Sequence, residues 1–397
     1  MTVLKSLGLM RRFFKETPLE HNQQLSKLYN AKILLKREDL SPVRSYKIRG
    51  ALNKMSYIKG NDVVTCSAGN HAQGVAYACN KLGINADIYM PKITTRQKID
   101  KVKAFGGDRV KIFLEGDNLD ESFTKALEAI TPEKDFIHPF DDLRVIEGQA
   151  TVGAEILNEI ASPDYIILPV GGGGLAAGVS SYVKSQSPQT KIIAVEPMGA
   201  ASLTAAFKEG QPFTLRNINT FVDGASVSRI GSLNFPICRD NVDEIVRVDE
   251  GHTCSKILQM YNESGYIIEP AGVLSLCALD SMRPLLHNKT VVCVVSGGNS
   301  DVFRMPEILE RSLIYEGRKH YFRIELPQQA GALKKFITSV LGPDDDIIYF
   351  RYTKLINKET GPIILGIETK SVTDSATLMT QMQKAHIRFK KLCVSEI

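Results

Sequence analysis

Between about residues 31 and 305, short apolar runs that end in small or glycine-rich turns alternate with longer stretches in which apolar positions recur every three or four residues. Apolar runs of four to eight residues bounded by turn signals read as buried strands, and the longer periodic stretches as amphipathic helices. The spacing predicts strands at 32–36, 63–66, 86–90, 110–114, 165–170, 191–196 and 290–295, and helices at 46–58, 72–82, 175–186 and 251–264. Such alternation is the grammar of an α/β fold, with a parallel sheet covered by helices.

The pattern changes after Asp301. A helix at 308–318 reads as a linker, and from His320 the order is strand 321–325, helix 331–340, strands 347–353 and 363–368, helix 373–385 and strand 388–394. That β-α-β-β-α-β order describes a ferredoxin-like α+β module. Its loops at 341–346 and 357–362 are turn-rich, and it holds no catalytic constellation.

Composition narrows the classes. The chain of 397 residues is longer than one ordinary core of about 150 residues needs, so two or three packed units are expected. Hydrophobic residues at 43% and charged residues at 23% fit an ordinary globular protein. Lys and Arg exceed Asp and Glu by 49 to 44, without a basic stripe, so no nucleic-acid partner is implied. Seven cysteines, an odd number without a C-x-x-C pair, predict reduced thiols and a cytoplasmic protein. The basic first 16 residues lack the apolar block of a signal peptide, no run is long enough for a membrane span, and no metal motif is present.

Four segments could carry chemistry. Lys47, in Ser45-Tyr46-Lys47-Ile48-Arg49-Gly50, opens a predicted helix. Desolvation or neighbouring positive charge would leave its amine neutral and nucleophilic, and Arg44, Arg49 and the helix N-terminus would act in that direction. Taken alone, a lysine in a helix's first turn is more often a solvated surface residue. Ser67-Ala68-Gly69-Asn70-His71 follows a strand and opens a helix, a nest of backbone N–H groups suited to a carboxylate. Gly171-Gly172-Gly173-Gly174-Leu175 does the same after the strand at 165–170, where four glycines allow close approach and positive φ and suit a phosphate. Ser296-Gly297-Gly298-Asn299 closes the strand at 290–295, where a hydroxyl could meet a ring nitrogen or simply cap a turn. The glycine run also meets the degenerate dinucleotide pattern through Gly172, Gly174 and Ala177, with Glu196 about 20 residues on, so a nicotinamide dehydrogenase stays open. That reading leaves Lys47 and the Ser67 loop unexplained.

Together, in this order, the segments resemble the pyridoxal-phosphate enzymes of the tryptophan synthase β fold and, among them, the threonine deaminases. The resemblance runs from about Thr17 to Asp301 and includes Lys36-Arg37-Glu38-Asp39-Leu40, Gly148-Gln149 and Glu269-Pro270-Ala271-Gly272. It implies pyridoxal 5'-phosphate held as a Schiff base on Lys47, which then takes the Cα proton. It also implies packing of Tyr46 on the cofactor, Asn70 on its 3-hydroxyl, Gly171, Gly172, Gly173, Gly174 and Leu175 on its phosphate, and Ser296 on its ring nitrogen. Ser67, Ala68, Gly69, Asn70 and His71 would hold the substrate carboxylate. The implied reaction is an α,β-elimination that converts L-threonine to 2-oxobutanoate and ammonia as the first step towards isoleucine, with L-serine as the other candidate substrate. Ala68 stands where related serine racemases carry an acid/base serine, which disfavours racemisation. The C-terminal module resembles an ACT-like regulatory domain, implying an isoleucine or valine effector, and the family suggests a homotetramer. The expected division is a large catalytic part at 1–59 and 139–317, a small part inserted at 60–138, and the regulatory module at 318–397. A silent amino-acid sensor on this scaffold is a further reading, against which the intact Lys47 speaks.

Overall fold

The computed structural model describes residues 2–353 and 359–393. The chain divides into two compact units at Asp301 and Val302. The helix Met305–Tyr315, expected as a linker belonging to the catalytic part, therefore groups with the C-terminal unit.

The first unit holds two sheets. The larger has six strands in the order Leu19–His21, Lys32–Arg37, Thr290–Val295, Tyr165–Pro169, Lys191–Pro197 and Glu244–Val248. All neighbours are parallel except the edge strand Leu19–His21. The smaller sheet is wholly parallel, in the order Val110–Leu114, Asn85–Met90, Asp62–Cys66 and Lys134–Phe136. Each expected strand of this unit forms, displaced at its ends by no more than one residue. Sequence periodicity missed Glu244–Val248, an edge strand whose half-exposed residues make no continuous apolar run. It also missed two interior helices, Leu143–Glu159 and Pro270–Met282. Pro270–Met282 is buried on almost every side and shows no polar face, so it has no helical period to read.

Two glycines decide where the helix Lys47–Met55 lies. A Cβ on Gly148 would stand 2.6 Å from the Arg49 carbonyl oxygen and 2.8 Å from the Gly50 Cα, and one on Gly50 would meet the Gln149 side chain at 2.4 Å. The backbones of Lys47–Met55 and Leu143–Glu159 therefore touch directly. Beneath that contact lies a buried ionic cluster. Arg49 is 0% exposed and donates to Glu38 Oε1 and Oε2, both at 2.8 Å, and to Glu155 Oε1 and Oε2 at 2.9 and 2.7 Å. Lys36 adds a second cation 2.6 Å from Glu155, and Arg11 a third at 2.7 Å. Burial alone would raise the Glu155 carboxyl, but the charges and hydrogen bonds of Arg49 and Lys36 hold it well below its ordinary value.

The second unit has a four-stranded antiparallel sheet in the order Asp346–Tyr352, Thr360–Glu368, Lys319–Pro327 and Arg388–Leu392, with helices Ala332–Val340 and Val372–Lys384. Phe322, Ile324, Phe336, Leu365, Leu378 and Met382 close its core. This is the expected β-α-β-β-α-β order. Residues 357 and 358 of the expected loop and Val394 of the expected last strand lie outside the described residues, and 360–362 belong to a strand.

Removing one member of a buried charge cluster leaves its partners uncompensated, at a cost of about 3–5 kcal/mol. Glu155→Ala should lower the urea midpoint of the first unit by an amount corresponding to that loss. A change below about 1 kcal/mol, the range of exposed pairs, would show the cluster to be dispensable.

Candidate active site

The site forms where the strands Thr290–Val295, Tyr165–Pro169 and Asp62–Cys66 end and the helices Lys47–Met55, Gly174–Gln186 and Asn70–Leu82 begin. Open parallel sheets bind ligands at their carboxyl edges. The segment before Lys47 is stitched to the loop after Val295. Tyr46 N–H donates to the Ser296 carbonyl at 3.1 Å, Gly298 N–H to the Arg44 carbonyl at 2.9 Å, and Ser45 bridges Gly297. Arg44 adopts a left-handed φ of 55°, rare for a residue with a side chain, so this turn is strained into place.

Lys47 is the first residue of its helix, and its Nζ donates to the Pro139 carbonyl at 2.8 Å. The amine lies 5.3 Å from the centre of the Tyr46 ring and 5.9 Å from that of Phe140. Burial lowers its pKa to about 8, and the Glu269 carboxylate partly opposes the shift. The expected contribution of Arg44 and Arg49 is therefore corrected. Arg49 is consumed by Glu38 and Glu155, Arg44 donates to the Ile267 carbonyl, and desolvation does what the arginines were expected to do.

Phe140 links this amine to the glycine run. A Cβ on Gly172 would lie 2.3 Å from the Phe140 ring, and one on Gly174 would lie 3.0 Å from the Phe140 carbonyl oxygen. Gly173, at φ 89°, starts the helix without a side-chain cap, and Leu175 is buried in its first turn. The Gly172 carbonyl accepts from Asn234 Nδ2 at 2.7 Å and from Gly231 N–H at 3.1 Å. No protein acceptor meets the amides of Gly171 to Leu175 among the described residues. Five successive donors at the positive end of a helix fit a phosphate. The dinucleotide reading fares worse. Glu196, its expected ribose ligand, is 0% exposed and accepts from Leu203 N–H at 2.6 Å, Thr204 N–H at 2.9 Å and Thr204 Oγ1 at 2.8 Å.

Ser67, Ala68, Gly69 and Asn70 are partly exposed, and Gly69 begins its helix with no side-chain cap. Ser67 Oγ accepts from Gly69 N–H at 3.2 Å. His71 turns inward. It is buried, with Nε2 2.9 Å from the Ile137 carbonyl, and burial together with the nearby Lys47 charge brings its pKa down to about 3. It is thus a neutral wall. Ser296 is also buried, its Oγ 3.4 Å from the Ala271 carbonyl oxygen. Sequence reasoning gave no role to Glu269, Phe140 or Asn299. Glu269 precedes Pro270 at the start of a helix, is 6% exposed, and accepts from Asn70 Nδ2 at 2.7 Å and from Asn299 N–H at 3.2 Å. Burial and then the neighbouring Asp223 push its pKa up to about 7, against the hydrogen bonds from Asn70 and Asn299.

Residues 10–297 match the family model of pyridoxal-phosphate dependent enzymes, and 310–397 match that of the C-terminal regulatory domain of threonine dehydratase. The chain is 49% identical over 386 residues to the L-threonine dehydratase biosynthetic IlvA of Halalkalibacterium halodurans, covering 96% of this chain and 93% of that protein. It is 48% identical to the protein of the same name from Bacillus subtilis, covering 96% and 92%. The processed form of threonine deaminase isoform 2 from Solanum lycopersicum superposes with a TM-score of 0.74 at 38% identity, covering 78% of this chain and 92% of that one. The chain belongs to the pyridoxal-phosphate dependent enzymes, within the family of the biosynthetic L-threonine dehydratases.

The raised Glu269 pKa has a definite sign in stability. The folded protein keeps a proton that the unfolded chain releases from about pH 4.5, so this contribution is full at low pH and is lost as pH rises through about 7. Glu269→Gln removes the ionisation. In the cofactor-free protein, its melting temperature should therefore gain on wild type between pH 5 and pH 8, and a constant difference across that range would contradict the assignment.

Proposed function

We propose that this enzyme eliminates water from L-threonine, the resulting enamine then taking up water to give 2-oxobutanoate and ammonia, with Lys47 as the catalytic residue. The observation that carries this reading is that Pro139–Phe140 meets both the Lys47 amine and the glycine run, whose amides are open. When bound, pyridoxal 5'-phosphate supplies the electron-withdrawing ring that makes a Cα–H bond acidic. Gly171 to Leu175 would hold its phosphate, Tyr46 and Phe140 would line its ring, Asn70 would meet its 3-hydroxyl, and the neutral Ser296 hydroxyl would meet its ring nitrogen. Ser67, Ala68, Gly69, Asn70 and His71 form the loop that receives the substrate carboxylate, orienting Cα towards Lys47.

Lys47, whose pKa of about 8 leaves part of the amine neutral at ordinary pH, takes the Cα proton. A substrate that has lost this proton expels its β-hydroxyl, which leaves as water, and water then hydrolyses the released enamine to 2-oxobutanoate and ammonia. Ala68 cannot return a proton from the other face, which favours elimination over racemisation. Preference for threonine over serine rests on one methyl group, worth about 1–3 kcal/mol in an apolar pocket. Closure of the 60–138 part over the remainder of the catalytic unit excludes water during these steps.

The C-terminal unit is the regulatory domain, and we assign isoleucine as its ligand, with valine as the competing effector. A homotetramer in the cytoplasm is the assembly and location consistent with this reading. Among the described residues no helix is long and apolar enough to cross a membrane.

Wild-type protein should show a visible cofactor band that changes when threonine is added, while Lys47→Ala should show neither that band nor 2-oxobutanoate. An active Lys47→Ala enzyme would contradict the mechanism. Calorimetric titration of the full-length chain should give saturable isoleucine binding. Absence of heat together with kinetics unaffected by isoleucine would remove the effector assignment.

A further inference from the structure

Asn70 is held by a hydrogen-bonded chain with a single direction. At one end the Lys101 ammonium, which can only donate, meets Asn299 Oδ1 at 3.3 Å. Asn299 Nδ2 donates to Asn70 Oδ1 at 2.7 Å and to the Val43 carbonyl at 2.8 Å, which uses both of its N–H groups. Asn70 Nδ2 in turn donates to Glu269 Oε1 at 2.7 Å. The donor-only Lys101 ammonium and the acceptor-only Val43 carbonyl leave one orientation for the Asn299 amide, whose second N–H then leaves one for Asn70. Asn70 keeps one N–H and one oxygen lone pair uncommitted, in fixed places.

The chain also joins two layers. Lys101 lies on the helix Arg96–Gly106, which covers the smaller sheet, and Asn299 follows the strand Thr290–Val295 of the larger one. Three residues earlier on the same helix, Lys98 pairs with Asp223 at 2.9 Å. Residues three apart share a helix face, so one face makes two cationic contacts across the cleft. The charged groups facing Lys101 are Arg44 and Lys98, which oppose its charge, and Glu269 and Asp301, which favour it.

We propose that Lys101 is a positioning residue for the active site. Docking of the helix Arg96–Gly106 on the loop after Val295 sets, through Asn299, the direction in which Asn70 presents its free N–H and lone pair to the cleft. The inference rests on the reading of Asn70 as a cofactor contact. It accounts for a lysine outside the four candidate segments reaching a residue 198 positions away. It also gives closure a consequence beyond excluding water, because only the docked helix completes the chain.

The test uses the full-length chain stripped of cofactor and titrated with pyridoxal 5'-phosphate, together with the visible spectrum and kinetics after loading. Lys101→Met keeps the stem and removes the donor. It should weaken cofactor binding by about tenfold, the scale of one charged hydrogen bond. It should also shift the visible band and lower kcat more than it changes KM for threonine. Lys101→Arg should restore most of each. Lys98→Met, which breaks the neighbouring ion pair but not the chain, should leave the band in place. In an Asn70→Ala background, Lys101→Met should add little further loss, as expected for residues acting through one contact. If Lys101→Met does not fold, Lys101→Ala in the same background gives the same comparison. Wild-type binding and spectrum in Lys101→Met, alongside weakened binding in Asn70→Ala, would overturn the positioning role and leave the proposed function standing. Wild-type cofactor binding in Asn70→Ala would overturn the positioning role together with the reading of Asn70 as a cofactor contact.

Discussion

An ammonium group taken out of water loses hydration that one carbonyl cannot replace, and Lys47 is in that position. Its amine has the Pro139 carbonyl as its hydrogen-bond partner and the rings of Tyr46 and Phe140 as neighbours. The remedy is loss of the proton, which turns an ordinary surface cation into a base and nucleophile. The geometry of the first unit serves to keep the amine there. Gly50 and Gly148 let two helix backbones touch, Arg49 anchors the helix from beneath, and the strained turn at Arg44 delivers the chain to its first residue.

Charge is managed differently two residues apart. Arg49 is buried with enough carboxylates and hydrogen-bond acceptors to stay ionised, whereas Lys47 is half-buried without them. The first arrangement makes a structural anchor and the second a reactive group. Glu269 stands between these cases. It is a buried carboxyl with two donors, close to neutrality in pKa, and the acidic neighbour that Lys47 senses. Its partners, Asn70 and Asn299, connect it to both layers of the catalytic unit.

Much of this was legible in the sequence. Strands buried on both faces give continuous apolar runs, so 290–295 was read to the residue, while 110–114 was legible from its apolar residues although it is a half-exposed edge strand. Glycines packed at a strand's end are costly unless the backbone is needed there, which singled out Gly171 to Gly174, and a run of small and hydrogen-bonding residues at another strand's end singled out the Ser67 loop. Other features left no local trace. Pro270–Met282 has no polar face because nothing around it is solvent, and Gly148 breaks the propensity of a helix that needs it for close approach. Phe140, Glu269, Asn299 and Lys101 are single residues whose meaning comes from neighbours far away in the chain, and spacing cannot reveal them. Arg49 was read for its charge beside Lys47 before its partners Glu38 and Glu155 were in view.

The account's central claim is that one particular amine carries the cofactor. Borohydride treatment of the loaded enzyme fixes pyridoxal phosphate to the nitrogen that bears it, and proteolysis with mass mapping then finds the labelled lysine. The account predicts the label on the peptide containing Ser45-Tyr46-Lys47-Ile48 and on Lys47 within it. A label on any other lysine, with Lys47 recovered unmodified, would contradict it.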